Sequence, residues 1–359
     1  MQADSDSGVR PIYPSDRKYS DNCRSRLLDR IRTKIGIGPA QLISAAYTNA
    51  SWKAYESAWN SFKCFEKQTS CNFEWPLNQD ALNKYITWAC IERKLKSSTV
   101  ETYIASLSSI HKLCGYSADC CSSFVTKTLL RGSEHLGPTI LTPTHTRKVF
   151  TLPLLKLMGN EIAQTDWPED SKRVFWTCTC LAFFGCFRIG ELLSKHEDTY
   201  DPYSTLLWGN VKIENDSCLI HVKSPKSNNK EGDFIDLFKF PGHGCCPVSC
   251  IKALSKSKKC NKDVPVFRFD SGKLLTQENF NKTLKFLLKP IVGSSASEYT
   301  SHSLRAAIPS ALDKFPHLSS DEDVQSWGRW DSPCFKRYTR LQKNKKKEIF
   351  SRISEALIS

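Results

Sequence analysis

The sequence predicts a mainly α-helical fold in two domains, with a small β-hairpin or sheet in the second. Its 359 residues exceed the length of one average domain. Apolar side chains recur at intervals of three and four residues through most of the chain, which is the spacing of one helix face. Residues 217–238 instead alternate apolar and polar side chains around a polar turn. This pattern predicts the hairpin, with a possible third strand in the preceding NVKI.

The first domain is predicted to be a helical bundle at residues 40–131, preceded by a polar N-terminal arm at 1–39. Pro and Gly interrupt the arm, so we expect it to be mobile or loosely docked. Asn78 is a candidate N-cap in the bundle, and Ser98 with Glu101 has the spacing of a capping box. The apolar stripes of the three clearest helices include Trp52, Leu82 and Val100.

A linker at residues 132–150 is predicted from its content of Pro, Gly and Thr and its lack of periodicity. The second domain then covers residues 151–342. A long apolar helix, at about 171–193, is too hydrophobic for a surface and is expected at the centre of this domain. Helices return after the hairpin from about Cys246, and a tail helix is predicted at residues 343–359.

The net charge of +14 and the isoelectric point of about 9.0 indicate a polyanionic partner, of which nucleic acid is the commonest. The alternative is that the charge serves solubility alone. The start of the sequence lacks the apolar segment of a signal peptide, and no apolar run is long enough to span a membrane. The 16 cysteines, many within apolar helical patterns, are therefore interpreted as buried thiols in a reducing compartment.

One cysteine-rich stretch could form a zinc site, because zinc prefers Cys and His ligands that lie close together. The spacing matches no common arrangement of paired ligands. The alternative is a loop that enters a helix at Pro247, with Ile251 and Leu254 on the inner face, and we expect neither a metal nor another cofactor. The candidate ligands are His243, Cys245, Cys246, Cys250 and Cys260.

Five residues of the second domain could together catalyse phosphodiester chemistry without a metal. Arginine suits the extra negative charge of the transition state, because its planar guanidinium pairs with two oxygens and stays protonated. Tyrosine can hold the phosphoryl group as a covalent ester, and lysine can protonate the leaving oxygen. Each residue alone is common on protein surfaces, whereas five in this order are much less common. They are Arg188, Lys226, His302, Arg305 and Tyr338.

The segments around these residues resemble motifs of the tyrosine recombinases, the family of phage integrases and of Cre. FRIGELL resembles the first arginine box, and SHSLRAAIPSAL resembles the second. GRWDSPCFKRYTR resembles the tyrosine box of eukaryotic mobile elements, with the Crypton type favoured over the DIRS and Ngaro types. The resemblance covers almost all of residues 40–359. It implies a helical core-binding domain and a catalytic domain that form a C-shaped clamp on duplex DNA.

The resemblance also implies a role for each candidate residue. Arg188 and Arg305 would bind the phosphate. Lys226 at the hairpin tip would be the general acid, His302 would contact the phosphate and assist proton transfer, and Tyr338 would be the nucleophile. The implied enzyme cuts and rejoins DNA strands through a 3′-phosphotyrosyl intermediate, without metal or ATP. The alternatives are a type IB topoisomerase-like activity and a domesticated DNA-binding protein without turnover.

One position departs from the family's pattern. The family often places a His or Trp nine residues before the tyrosine, where this sequence has Arg329. We expect the next residue, Trp330, to fill that phosphate-contact slot after a small loop adjustment, and Arg329 to be a further phosphate contact. Glu191 either orients Arg188 or another basic group, or is an ordinary carboxylate on a helix surface.

The tail combines a basic run with an apolar helix face. Lys343 and Lys345–Lys347 form a weak candidate for a nuclear import signal. The apolar face docks either on its own domain or, as the resemblance favours, on a neighbouring protomer. The implied partners are double-stranded DNA and further copies of the chain, as a dimer at each site and a tetramer on two sites, in the host nucleus. The apolar residues are Ile349, Phe350, Ile353 and Leu357.

Overall fold

The structure, a computed structural model, describes residues 9–11, 24–47, 49–140, 148–223, 231–240, 244–312, 325 and 327–329. The described chain is mainly helical with small sheets, as the sequence predicts. It divides into two compact units, one of residues 18–145 and the other of residues 1–17 with 146–359. No helix among the described residues is long and apolar enough to cross a membrane.

The helical unit has its own apolar core, built where α3 packs against α5, and where α7 packs against both α4 and α5. A π-helical turn at Trp88–Glu92 continues α4. The helices are α1 (Arg24–Ile35), α2 (Ile37–Ala46), α3 (Asn49–Thr69), α4 (Gln79–Thr87), α5 (Ser97–Leu113), α6 (Asp119–Ser122) and α7 (Phe124–Ile140).

Both predicted ends of the bundle need correction. The unit begins with α1 and not at residue 40, because Leu27 and Ile31 are buried in its core. At the other end, α7 continues through Gly132 to Ile140, so the linker does not begin at residue 132. Packing of α7 against α4 and α5 outweighs the low helix propensity of Gly132, and the helix also continues through Gly137 and Pro138.

The two predicted helix caps have different outcomes. The backbone N–H of Ala81 donates to Asn78 Oδ1 at 2.9 Å, which confirms Asn78 as the N-cap of α4. The predicted capping box of Ser98 does not form, because α5 already begins at Ser97 and its N-cap position is Lys96. Ser98 therefore lies exposed in the first turn of the helix.

The second unit packs its helices around a buried central helix, α9, which contacts α8, α11, α13 and α14. Short 3₁₀ turns occur at Trp208–Asn210 and Gly293–Glu298. The helices are α8 (Leu152–Gln164), α9 (Glu169–Phe184), α10 (Ile189–Leu192), α11 (Pro247–Ser257), α12 (Gln277–Val292), α13 (Ser301–Arg305) and α14 (Ala307–Leu312). The strands are β1 (Arg10–Pro11), β2 (Thr199–Tyr200), β3 (Val211–Ile213), β4 (Ser217–Val222) and β5 (Asp233–Phe238).

The predicted hairpin and its third strand are confirmed as the antiparallel sheet β3-β4-β5. The hairpin pairs Ser217 with Phe238 at one end and Val222 with Asp233 at the other. Its buried face carries alternate residues of each strand, as a half-buried hairpin should. A second sheet pairs β1 in parallel with β2, so Arg10 and Pro11 of the predicted arm are paired with Thr199 and Tyr200 of the second unit.

The predicted long helix at 171–193 is interrupted between α9 and α10. Gly185 ends α9, and the next residue, Cys186, has a φ of 48° that breaks the helical path. A Cβ on Gly185 would lie 2.2 Å from the ring of Phe187, so the turn requires glycine there. The chain therefore returns to a helix only after Arg188, which places that arginine at a turn.

The cysteine-rich stretch leads into α11, which begins at Pro247. Cys246 is the N-cap, and its Sγ accepts the backbone N–H groups of Phe240 at 3.2 Å and Ser249 at 3.5 Å. Among the described residues, no three His, Cys, Asp or Glu side chains are grouped so that they could hold a metal ion. His243 lies outside the described residues.

Candidate active site

Three arginines from separate segments of the second unit meet beside the turn that follows α9. Arg188 precedes α10, Arg305 is the last residue of α13, and Arg329 follows Gly328. Two acceptors connect them: Arg188 and Arg329 share the carboxylate of Glu191, while Arg305 and Arg329 share the carbonyl oxygen of Cys186. The fold thus brings together residues that are 141 positions apart in the sequence.

Arg305 is almost wholly buried and is held by two backbone carbonyls. Its Nη1 donates to the oxygen of Cys186, and its Nη2 donates to the oxygen of Gly328 at 2.6 Å. Burial lowers the pKa of Arg305 to about 10, and the charge of Arg188 adds to this effect. The guanidinium remains charged at neutral pH, because this pKa is still well above 7.

Glu191 is a buried carboxylate, so the interpretation as a helix-surface residue is wrong. Its Oε2 accepts the backbone N–H of Arg188 at 2.9 Å, and its Oε1 accepts Nη1 of the same arginine at 2.8 Å. Arg329 Nη2 donates to Oε2 at 2.9 Å. Burial alone would raise the pKa of Glu191, but the charge of Arg329 and these hydrogen bonds outweigh burial and hold the pKa below its usual value. Glu191 is therefore ionised and fixes the direction of Arg188.

Arg329 lies between two carboxylates. Besides its bond to Glu191, Nη1 donates to Asp233 Oδ2 at 3.4 Å, and the guanidinium carbon lies 5.4 Å from the ring centre of Phe187. Its backbone has a φ of 54°, which non-glycine residues seldom adopt and which is frequent at functional sites. The structure thus places Arg329 inside the cluster, bridging α10 and β5.

The cluster suits the binding of a single phosphodiester group. Within the part of the chain that the structure describes, three guanidinium groups face two carboxylates, Glu191 and Asp233, which leaves an excess of one positive charge. Arg188 is the most accessible of the three arginines, since 30% of its side chain is exposed, compared with 11% for Arg329. An anion that approaches the cluster from solvent therefore meets Arg188 first.

His302 shares α13 with Arg305, three residues away on the same helix, and is half-buried. Three predicted site residues, Lys226, Trp330 and Tyr338, lie outside the described residues. Their roles, and the choice of Trp330 for the phosphate slot, remain predictions.

Sequence reasoning missed three groups of the cluster: the carboxylate of Asp233 and the carbonyl oxygens of Cys186 and Gly328. Backbone carbonyls have no signature in the sequence. Asp233 did have a signature in the sequence, because it lies on the same inward face of β5 as Ile235 and Leu237. A charged residue at a core-facing position needs a partner, and that requirement could have identified it.

The sequence matches no family model and no curated protein. Solved structures do match its fold. The integrase of transposon Tn1549, in complex with transposon right end DNA, is 11% identical with a TM-score of 0.59, over 93% of this chain and 100% of that one. XerH site-specific recombinase bound to palindromic difH substrate is 12% identical with a TM-score of 0.58, over 93% and 90% of the two chains.

A lambda integrase dimer bound to a COC′ core site is also similar, at 11% identity and a TM-score of 0.50, over 91% of this chain and 83% of that one. The match extends over most of the chain in each of the three comparisons. The chain therefore has the fold of the tyrosine recombinases. At this level of identity the comparison establishes the fold alone.

Proposed function

We propose that the protein is a tyrosine recombinase, a DNA strand transferase that cuts and rejoins DNA through a 3′-phosphotyrosyl intermediate. The observation that carries the proposal is the convergence of Arg188, Arg305 and Arg329 around Glu191 on this fold. A purely structural cluster has no need for an excess positive charge beside a partly exposed arginine. A site for a phosphodiester needs both.

In the proposed reaction, the phenol of Tyr338 gives up its proton with the assistance of His302, and its oxygen attacks the scissile phosphorus to form a phosphotyrosyl ester. The bond to the 5′ oxygen breaks, and Lys226 gives that oxygen a proton. A 5′-hydroxyl from a partner strand then attacks the ester, rejoins the DNA and restores the phenol. The ester retains the bond energy between the two steps and the arginines supply the positive charge, so neither ATP nor a metal is required.

The arginines would stabilise the extra negative charge on the nonbridging oxygens during both steps. Arg188 and Arg305 are held in advance by Glu191 and by the carbonyls of Cys186 and Gly328, so little reorganisation accompanies the reaction. His302 and Trp330 complete the proposed set, as an aid to proton transfer and a donor to the phosphate. The basic net charge of +14 is consistent with duplex DNA as the substrate.

The type of recombinase, its location in the cell and its assembly on DNA are also proposals. The GRWDSPCFKRYTR segment favours a mobile-element recombinase of the Crypton type, acting in a host nucleus as a dimer at each site and a tetramer on two sites. The C-shaped clamp would be formed by the helical core-binding domain and the catalytic domain. The tail helix of residues 343–359 would be donated to a neighbouring protomer.

A nicked duplex that releases a short fragment after cleavage tests the proposal, because release prevents religation and traps the covalent adduct. The wild-type protein should form an adduct that denaturation does not remove. The variant Tyr338→Phe should form none and should bind the duplex with nearly unchanged affinity, since the ring is retained. An adduct with the Phe variant would show that another residue is the nucleophile.

Two further assays separate the alternatives. A protein that relaxes supercoiled DNA but does not exchange strands between two sites would be a topoisomerase-like enzyme. A protein that binds duplex DNA but forms no adduct on any nicked substrate would be a DNA-binding protein without turnover. Strand exchange between two sites supports the recombinase.

A further inference from the structure

Arg329 differs from the other two arginines in how its donors are used. Nη1 points to Asp233, while Nη2 is shared between Glu191 and the carbonyl of Cys186, at 3.5 Å from the latter. Nε is buried and has no hydrogen-bond partner among the described residues. A phosphate that bound these two terminal nitrogens would compete with Asp233 and Glu191, whose buried pairing with Arg329 neutralises the charges.

The same contacts connect two parts of the site. Asp233 is the first residue of β5 and pairs with Val222, the last residue of β4. We call this pair the root of the β4–β5 hairpin, because the segment that carries Lys226 connects these two residues. Glu191 holds both the backbone and the side chain of Arg188. Arg329 therefore joins the root of the hairpin to the turn on which Arg188 sits.

The environment of Arg329 fixes it in this role. Phe187 lies beside the guanidinium of Arg329. Two residues earlier, Trp327 Nε1 donates to the carbonyl of Phe184 at 3.3 Å, which holds Trp327 at the end of α9. Gly328, between them, gives its carbonyl to Arg305. The segment 327–329 thus contacts both ends of the turn, and also Arg305 and Glu191.

We propose that Arg329 is a positioning residue, which fixes the root of the β4–β5 hairpin relative to Arg188 through Asp233 and Glu191, and not a ligand of the scissile phosphate. The proposal rests on the proposed function in that it assigns Lys226 and Arg188 to one reaction centre. It is an alternative to the expectation that Arg329 is a further phosphate contact. Loss of Arg329 would then slow cleavage by misplacing other groups.

Cleavage assays of single and double variants test whether Arg329 and Asp233 act together to position the hairpin. Arg329→Gln and Asp233→Asn should each lower the rate of adduct formation about 10–100-fold, the usual effect of losing a residue that orients an active group. The double variant should be no slower than Arg329→Gln, because both changes remove one connection. Multiplied deficits would show that the two residues act independently and would overturn the proposal.

A substrate with a neutral methylphosphonate at the scissile position distinguishes positioning from phosphate binding. An arginine that neutralises the phosphate is needed less when that charge is gone, so the deficit of Arg188→Gln should shrink on this substrate. The deficit of Arg329→Gln should shrink less than that of Arg188→Gln, because misplacement of the hairpin slows cleavage of both substrates. A deficit that shrinks for Arg329→Gln as it does for Arg188→Gln would make Arg329 a phosphate ligand.

Hydrogen exchange gives a readout that needs no catalysis. Arg329→Gln and Asp233→Asn should both accelerate amide exchange at the Val222–Asp233 end of the hairpin. Asp216→Asn is the matched control, because it removes the exposed ion pair with Lys239, at 3.3 Å, beyond the other end of the same two strands. It should leave exchange at the Val222 end unchanged.

The two readouts separate the two proposals. If the wild-type protein forms no adduct but both variants accelerate exchange at the root of the hairpin, the assignment as an enzyme is wrong. The positioning role of Arg329 is then still supported. If neither variant changes exchange at the root, the connection is wrong whatever the cleavage data show. Asp233→Asn provides the same test should Arg329→Gln not fold, since it removes one partner and leaves the arginine paired with Glu191.

Discussion

Arg305 is a buried arginine whose side chain is held by backbone carbonyls. Its two terminal nitrogens donate to the carbonyls of Cys186 and Gly328, which are 142 residues apart in the sequence. The carbonyl of Cys186 reaches it because that residue adopts a positive φ of 48°. Burial raises the pKa of the Cys186 thiol to about 12, so at neutral pH this residue contributes its backbone oxygen and not a thiolate.

We predict that Arg305→Lys lowers the rate of adduct formation by about 10²–10³-fold, the loss typical of one preorganised donor. A lysine brings a single point of positive charge and cannot keep both carbonyl bonds while it faces a phosphate. Single-turnover cleavage of the nicked duplex measures the effect. Arg32→Lys, at an exposed ion pair with Asp29, is the control and should cleave normally. Near-normal cleavage by Arg305→Lys would remove Arg305 from the active site.

At the scale of elements, His111 links α5 to the loop before α4. Its Nε2 accepts the backbone N–H of Leu77 at 2.9 Å, so Nδ1 carries the proton and donates to the carbonyl of Leu107 at 2.8 Å. The ring is fully buried and stacks on Trp75 at 4.2 Å. Burial lowers the pKa of His111 from 6.5, although the bond to Leu107 opposes this effect.

The lowered pKa gives the free energy of unfolding of the helical unit a pH dependence. Below about pH 6.5 the unfolded chain binds a proton at this histidine more readily than the folded chain does, so the contribution of His111 to stability is complete above that pH and decreases as the pH falls below it. We predict that His111→Gln reduces the shift of the urea midpoint between about pH 7.5 and pH 5. His135→Gln, an exposed histidine of the same unit, should leave the shift unchanged. An equal shift in wild type and His111→Gln would contradict the prediction.

The caps of α4 and α5 allow a matched comparison of two substitutions. Asn78→Ala should lower the free energy of unfolding of the helical unit by about 1 kcal/mol, because it leaves the N–H of Ala81 without its acceptor. Ser98→Ala should cost nothing, since Ser98 lies exposed within the first turn of α5 and alanine has the higher helix propensity. Urea denaturation checks both values. A larger loss for Ser98→Ala would mean that the capping box predicted from sequence forms after all.

At the scale of the whole molecule, the charge of +14 should make DNA binding depend steeply on salt. A clamp that touches about eight phosphates implies a slope of about −7 for the logarithm of the binding constant against the logarithm of salt concentration. Titrations of an unrelated duplex at several salt concentrations measure this slope. A slope near zero would rule out an extended contact with the DNA backbone.

Removal of the tail tests the assembly. If residues 343–359 dock on a neighbouring protomer, truncation after Gln342 should leave a folded protein that binds one half-site but has lost cooperative filling of the second. Mobility shifts on DNA with one and two half-sites, read together with a melting curve, measure both properties. Retained cooperativity with a lower melting temperature would instead place the apolar face on its own domain, because burying it there stabilises the monomer.

The sequence by itself determined the elements whose signals are local. Helical periodicity, the Asn78 cap and the alternation on either side of the hairpin turn depend on residues a few positions apart, and the structure has all three. The arginine motifs were also local, since Arg188 with Glu191 and His302 with Arg305 are each three residues apart. These pairs lie within one helical turn, where spacing alone fixes which side chains are neighbours.

The tertiary structure decided what depended on distant partners. It extended the helical unit to Arg24 and Ile140, beyond the bounds that composition indicated. It also broke the long helix at Gly185 and turned Arg329 toward Glu191 and Asp233. No pattern in the sequence joins Asp233 to Arg329, which is 96 residues later. A buried charge must find a partner of opposite sign, and only the folded chain determines which one lies within reach.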